Sequence, residues 1–349
     1  MFSLRDLGNY ESLVLNNLVS FSGLRDVVAV TTNLQSPLAP SVRSRPDPVL
    51  IQKLALLASH LVVALVALVG IGGATRVMEA GLACPDWPLC YGRLLPGRQM
   101  NLQVFLEWFH RLDAFVVGVA LLVLTAASFF WRRRLPAWLP WLATGTLFLV
   151  LVQGGLGALT VTQLLAAPLV TAHLATALLL VALTSGLYQR LAMANRASTS
   201  PPLWWLLLAS LALVLVFAQC LLGGTMASQW AADQCFSAGN GCRWLLAHRQ
   251  LAMPAALAVL ALAAATLLLP PGQGQLPGLA QGAAVLVLAQ VSLGIWTLKL
   301  QLQAPLVTIG HQLLAALLVG LLAAVLARSL GNSGQTLPMS PMSSEVAHG

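Results

Sequence analysis

The sequence predicts an all-α integral membrane protein of eight transmembrane helices, arranged as two tandem, pseudo-symmetric four-helix bundles. Three observations carry that expectation. Hydrophobic residues make up 58% of the 349-residue chain and charged residues only 8%, against roughly 25% charged in an average soluble protein. Charge-free stretches recur at the length a bilayer-crossing helix needs. The second half of the chain also repeats the first.

A soluble domain with so few charges would aggregate, whereas a bilayer selects this composition. The formal net charge of +8 is read as basic loops on the cytoplasmic side. No basic patch with interleaved aromatics occurs, so no nucleic-acid partner is expected. Membrane lipid is the expected surrounding.

The spans follow in order from the charge-free windows, each helix needing about 20 residues. Lys53 to Arg76 encloses the first and Asp113 to Arg132 the second. Leu135 to Gln189 carries no charge and has room for two helices and a turn. Ala197 to Ala232 holds the fifth. Gln250 to Leu298 holds two, separated by the turn Pro270-Pro271-Gly272-Gln273-Gly274, and Leu300 to Ala327 holds the last. Residues 1–49 read as a cytoplasmic N-terminal extension without a packed fold and with no signal-peptide pattern. The tail 331–349 reads as disordered. Between them lie an N-terminal four-helix half, 50–196, and a C-terminal half, 197–330.

Lys53, the run Arg132-Arg133-Arg134, Arg190, Arg196 and Arg328 fall on one side if the helices alternate. The positive-inside rule makes that side the cytoplasm and puts both termini there. The loop from Arg76 to Arg98 carries three arginines on the other side, in partial opposition, together with Glu79 and Asp86.

The repeat is visible in several segments. Gln153-Gly154-Gly155-Leu156-Gly157-Ala158-Leu159-Thr160 matches Gln290-Val291-Ser292-Leu293-Gly294-Ile295-Trp296-Thr297, and Ala167-Pro168-Leu169-Val170-Thr171 matches Ala304-Pro305-Leu306-Val307-Thr308. Gly72-Gly73 matches Gly223-Gly224, and His110-Arg111 matches His248-Arg249. His110 to His173 and His248 to His311 both span 63 residues. Each half has an even number of helices, so the repeat is parallel, about an axis near the membrane normal. All four histidines fall near the outer starts of their helices.

Imidazole is costly in hydrocarbon and marks a functional interior position. Two neutral imidazoles facing each other across a bundle make a bis-histidine iron site, and haem needs only two axial ligands. A lone histidine would more readily be a hydrogen-bonding core residue; four at duplicated positions favour haem. Copper or zinc is disfavoured because no carboxylate or thiolate accompanies the second pair. His60, with no counterpart in the second half, reads as a packing or interhelical hydrogen-bonding residue.

Arg111 and Arg249 are candidate propionate contacts, the alternative being that they snorkel from helix ends. Glu107 shares a helix face with His110, while Leu245 stands at the matching place before His248. That asymmetry assigns chemistry to the first half and a permanent, electron-passing haem to the second. Asp113 is a weaker acidic candidate. Cys84 and Cys90, and Cys235 and Cys242, lie in equivalent outer loops, where each pair forms a loop-closing disulfide or a redox-active couple.

Beyond these readings, the run Gly73-Ala74-Thr75-Arg76, the run from Gly81 to Gly92 with its paired cysteines, and Glu107-Trp108-Phe109-His110-Arg111 resemble the haem A synthase family. Gly157 to Val161 and Pro168 to Leu174 are similar to it as well, and the resemblance covers about residues 51–329. It implies an oxidoreductase that converts a ring methyl of haem O to the formyl group of haem A, for cytochrome oxidase assembly. It further implies that His110 and His173 hold the substrate haem, that His248 and His311 are the axial ligands of a haem b cofactor, that Glu107 is catalytic, and that Cys84 and Cys90 form a disulfide. A bacterial cell membrane, a haem O synthase as partner and a separate electron donor follow from the resemblance; a homo-oligomer is compatible with it. A di-haem cytochrome b-type electron-transfer protein and a haem carrier are the alternative functions.

Overall fold

The computed structural model describes residues 46–194, 200–227 and 243–330. Eight helices in it are long and apolar enough to cross a membrane, as the charge-free windows predict. They are α1 (Pro48–Val77), α2 (Leu102–Phe130), α3 (Leu139–Thr162), α4 (Ala167–Met193), α5 (Leu203–Met226), α6 (Arg243–Ala264), α7 (Leu276–Lys299) and α8 (Pro305–Ser329). Among the described residues the only β-type pairing is a single bridge between Cys90 and Arg93. The chain is therefore a multi-pass, all-helical membrane protein.

Local sequence sets the helix starts. Prolines occupy the first or second position of α1, α3, α4, α7 and α8, where a missing N–H leaves no bond unmade. Asp47 caps α1 by accepting from the Val49 and Leu50 amides at 3.0 and 3.2 Å. The first helix thus opens at Pro48, inside the 1–49 extension expected from sequence. Asn101 caps α2 through the Val104 amide at 2.9 Å.

The repeat persists in backbone detail. The turn from α3 to α4 places Leu164 and Leu165 at φ of 50° and 60°, and the turn from α7 to α8 places Gln301 and Leu302 at 52° and 64°. Non-glycine residues rarely adopt the left-handed region, so two consecutive cases at matching positions mark one turn used twice. Leu165 donates its amide to Thr160 O, and Leu302 to Thr297 O, at 2.8 and 3.0 Å. These tight turns hold the histidine-bearing α4 and α8 against the ends of α3 and α7.

Each helix of α1–α4 packs against the next and α1 closes against α4; α5–α8 do the same, with α5 against α8. The two sets meet where α4 packs along α8, with α1 against α8 and α4 against α5 at the flanks. Close approach of α4 and α8 depends on small residues, as is usual between membrane helices. A β-carbon at Gly320 would lie 3.2 Å from Val181, and Ser185 Oγ donates to the Gly320 carbonyl at 2.7 Å. One apolar cluster fills the first set around Leu61, Leu121 and Leu187, a second fills the other around Trp205, Val259 and Leu322. Large apolar side chains such as Val63, Trp141, Phe148 and Val214 point outward, consistent with lipid contact.

Candidate functional site

The glycines near the ends of the odd-numbered helices explain where the histidines sit. A β-carbon added at Gly72 on α1 would lie 3.0 Å from Cε1 of His110 on α2. At Gly157 on α3 it would lie 3.4 Å from His173 Cε1 on α4. At Gly223 on α5 and Gly294 on α7 it would lie 2.9 and 3.0 Å from Cε1 of His248 and His311. Four imidazoles therefore rest edge-on against four bare stretches of helix backbone, one per consecutive helix pair. Neither residue type explains the arrangement alone: the glycine supplies the space and the next helix supplies the ring.

The rings line one cavity of about 3880 Å³, several times the roughly 300–1,000 Å³ of an ordinary small-molecule site. Its walls are largely apolar and include residues of both helix sets. The His110 and His173 ring centroids are 6.5 Å apart. Two imidazoles on opposite sides of one metal ion, each nitrogen about 2 Å from it, would stand roughly 6–6.5 Å apart, so the pair already has the separation an iron needs. Nδ1 of His110 and Nδ1 of His173 are buried without a hydrogen-bond partner, the mark of rings placed for something other than core packing. Among the described residues no group of three or more His, Cys, Asp and Glu side chains could hold a metal ion by itself. A group that brings its own equatorial ligands, as a porphyrin does, fits what these residues offer.

Glu107 is buried, and its two oxygens are both engaged. Oε2 accepts from the Cys84 amide at 2.8 Å and Oε1 from Arg111 at 2.5 Å. Arg111 also donates to the carbonyls of Asp86 and Leu89, at 2.6 and 2.5 Å. The candidate propionate contact at Arg111 is thus engaged by the loop between α1 and α2, which it holds over the mouth of the cavity together with Glu107. Arg249 is exposed at the cavity wall. Glu79 and Glu107 are the acidic residues among the described cavity-lining ones, and Glu107 is the buried member. Asp113 is half-buried and not part of that lining. His60 is exposed, with Nδ1 2.7 Å from the Leu56 carbonyl of its own helix. The expected packing or interhelical role is corrected: a histidine one turn past a carbonyl can satisfy itself locally.

Cys84 and Cys90 are joined in a disulfide, and both are fully buried against Val104 and Trp108. Asp86 folds the loop inside it by accepting from the Tyr91 and Gly92 amides at 2.6 and 2.8 Å. Closing so short a loop is worth roughly 2 kcal/mol of stability. Reducing the disulfide, or changing Cys84→Ser, should therefore lower the melting temperature of the detergent-solubilised protein by a few degrees; an unchanged melting temperature would show that Glu107 and Arg111 alone hold the loop. The expected Cys235–Cys242 pair lies outside the described residues.

Sequence reasoning passed over the glutamines of the repeat. Gln153 Nε2 stands 3.2 Å from His173 Nε2, Gln219 Nε2 3.0 Å from His248 Nδ1, and Gln290 Nε2 3.5 Å from His311 Nε2. Each glutamine precedes its glycine by four residues, and that spacing, seen three times, is the signal that could have found them.

A polytopic helical membrane protein that sets histidine pairs into a shared apolar cavity near one end of its spans is the class these observations define. The COX15-CtaA model, of cytochrome oxidase assembly proteins, matches residues 54–323. The chain belongs to this family, the haem A synthase family. It is similar to the haem A synthase of Sphingopyxis alaskensis, 30% identical over 319 residues that cover 75% of this chain and 88% of that one. It is also similar to the haem A synthase of Rhizorhabdus wittichii, 28% identical over 348 residues covering 83% and 95%. With that of Shewanella oneidensis it shares 33% identity over 181 residues, covering 47% and 54%.

Proposed function

We propose that this protein is a haem A synthase, which oxidises a ring methyl of haem O to the formyl group of haem A for cytochrome oxidase assembly. The observation that carries the reading is the first-half pair, His110 and His173, set at iron-ligating separation beside the buried Glu107. The relatives' names support haem A synthesis as the activity. In this reading 50–196 is the substrate half and 197–330 the cofactor half, in a bacterial cell membrane with both termini cytoplasmic. A haem O synthase supplies the substrate, an external oxidant such as dioxygen takes the four electrons that leave the methyl carbon, and a separate donor supplies the further electrons that reducing dioxygen requires.

His110 and His173 hold the substrate iron, and the glycines beneath them fix how far each ring can retreat. His248 and His311 would hold haem b, which would supply one-electron transfer when bound. Glu107 presents a carboxylate fixed by two donors, which offsets positive charge that develops on the porphyrin edge and takes up a proton from the reacting methyl. The apolar walls exclude water from that edge. Arg111 keeps the Cys84–Cys90 loop closed over it, and Arg249 at the cavity wall is placed for a propionate.

Coexpression with a source of haem O, followed by acid-acetone extraction of pigments, tests the reading. Haem A should accumulate with the native chain. His110→Ala and His173→Ala should abolish it while haem b stays bound; His248→Ala and His311→Ala should remove haem b. Haem O persisting unchanged in aerobic cells would make the protein a carrier, and haem A formed without His110 and His173 would remove the substrate site assigned to them.

A further inference from the structure

The four histidines share a cradle but not a partner. Gln153, Gln219 and Gln290 each stand four residues before the glycine beneath a histidine and direct a side-chain amide at that ring. The equivalent position on α1, four before Gly72, is Leu68. Leu68 lines the cavity, as the three glutamines do. Among the described residues no side chain hydrogen-bonds a His110 ring nitrogen; the Leu68 backbone carbonyl faces that ring, as the Gln153, Gln219 and Gln290 carbonyls face the other three.

The consequence lies in what a ring nitrogen can do. The lone pair of a neutral imidazole accepts an N–H or binds a metal, not both. At His173 the competitor is held in place: Thr176 Oγ1 donates to Gln153 Oε1, which turns the amide NH2 toward His173 Nε2 at 3.2 Å. Gln219 is anchored in the same way, by donating to the His248 carbonyl at 2.8 Å. Iron binding at these rings must break an N–H···N bond as the Fe–N bond forms. At His110 no side-chain N–H···N bond has to break, so the Fe–N bond forms there without that loss.

We propose that Leu68 leaves His110 as the open axial position of the first-half site, where an incoming porphyrin iron docks without displacing a protein hydrogen bond, and that Gln153 is a placeholder on His173 which yields in the second step. The inference rests on the reading of His110 and His173 as the substrate site. It makes binding ordered, His110 before His173, and makes His110 the ligand whose affinity a single isosteric change on the neighbouring helix can tune.

The test is a titration of the purified full-length chain, with haem b retained, by haem O in detergent, followed by absorbance. Leu68→Gln places a competing amide over His110 and should raise the haem O dissociation constant by roughly three- to tenfold, the worth of one net hydrogen bond. Leu68→Met, apolar and of similar volume, should stay within about twofold. Gln153→Leu should shift the constant the other way by a similar factor. Haem b content should not change in any of them, which also reports that the variants fold. Unchanged or tighter binding by Leu68→Gln overturns the proposal, as does equal weakening by Leu68→Met or weaker binding by Gln153→Leu. His110→Ala and His173→Ala separate the two levels: if they bind haem O like the native chain, the substrate-site reading fails; if they lose it while Leu68→Gln changes nothing, only the present inference fails.

Discussion

Replacing Glu107 by Gln is expected to cut haem A formation by on the order of 10²- to 10³-fold, the usual loss when one charge-stabilising group is removed from an active site. Glutamine is the informative choice. It has nearly the shape of glutamate and can still accept from the Cys84 amide, so the loop anchored there stays in place. The negative charge, the capacity to take a proton and the acceptor for Arg111 are removed, while the Arg111 bonds to the Asp86 and Leu89 carbonyls remain. Glu107→Ala removes the Cys84 anchor as well and leaves the half-buried Arg111 guanidinium without its carboxylate, so it should lower the melting temperature in addition. Haem b should remain bound in both, since Leu245 stands at the matching place before His248. Pigment extraction and a thermal melt on the same preparations distinguish the two effects. Haem A produced by Glu107→Gln at near the native rate would leave Glu107 with its structural role alone.

The second large effect concerns a residue with no chemistry of its own. Gly223→Val is expected to lower haem b occupancy at least tenfold, comparably to His248→Ala. The Cβ of any residue at 223 would lie 2.9 Å from His248 Cε1, closer than real side chains approach, and the branched valine adds two methyls to that crowding. The imidazole must turn out of its position, and overpacking of this kind typically costs about 1–3 kcal/mol before any ligand is lost. Gly145→Val is the control. It lies on α3 away from the cavity, and nothing outside its own helix comes within 4 Å of a β-carbon there. It should leave both haem contents unchanged. If Gly223→Val retains haem b at the native level, the glycine cradle does not position the ligand.

The two residues differ in how visible they are from sequence. Glu107 is legible because a carboxylate one helical turn from a histidine, in a membrane span, is unusual. Gly223 is legible as half of a repeated Gly-Gly pair, but not as the floor beneath a ring, because that depends on how α5 and α6 are rotated about their own axes. The same limit accounts for Arg111. Its neighbour His110 suggested a role at the porphyrin, but its guanidinium reaches carbonyls of a loop more than twenty residues away in sequence, and backbone carbonyls leave no trace in residue identities. Gln153 and Gln290 stand inside the repeated segments and Gln219 outside them, and residue identity does not reveal their role, since only contact with a ring nitrogen separates them from ordinary small-interface polar residues.

By itself, then, the sequence determined the eight spans, the duplication and the candidate ligands. Each of these is set by local properties: hydropathy summed over about 20 residues, and residue identity at a fixed spacing. Only the tertiary structure decided which glycine lies under which histidine, that His110 and His173 stand 6.5 Å apart, that Glu107 and Arg111 clasp the disulfide loop, and that three rings carry a glutamine while His110 does not. Those are matters of helix rotation and approach, fixed by how small residues let neighbouring helices close on one another, and the energies involved are differences between packings that no single segment contains.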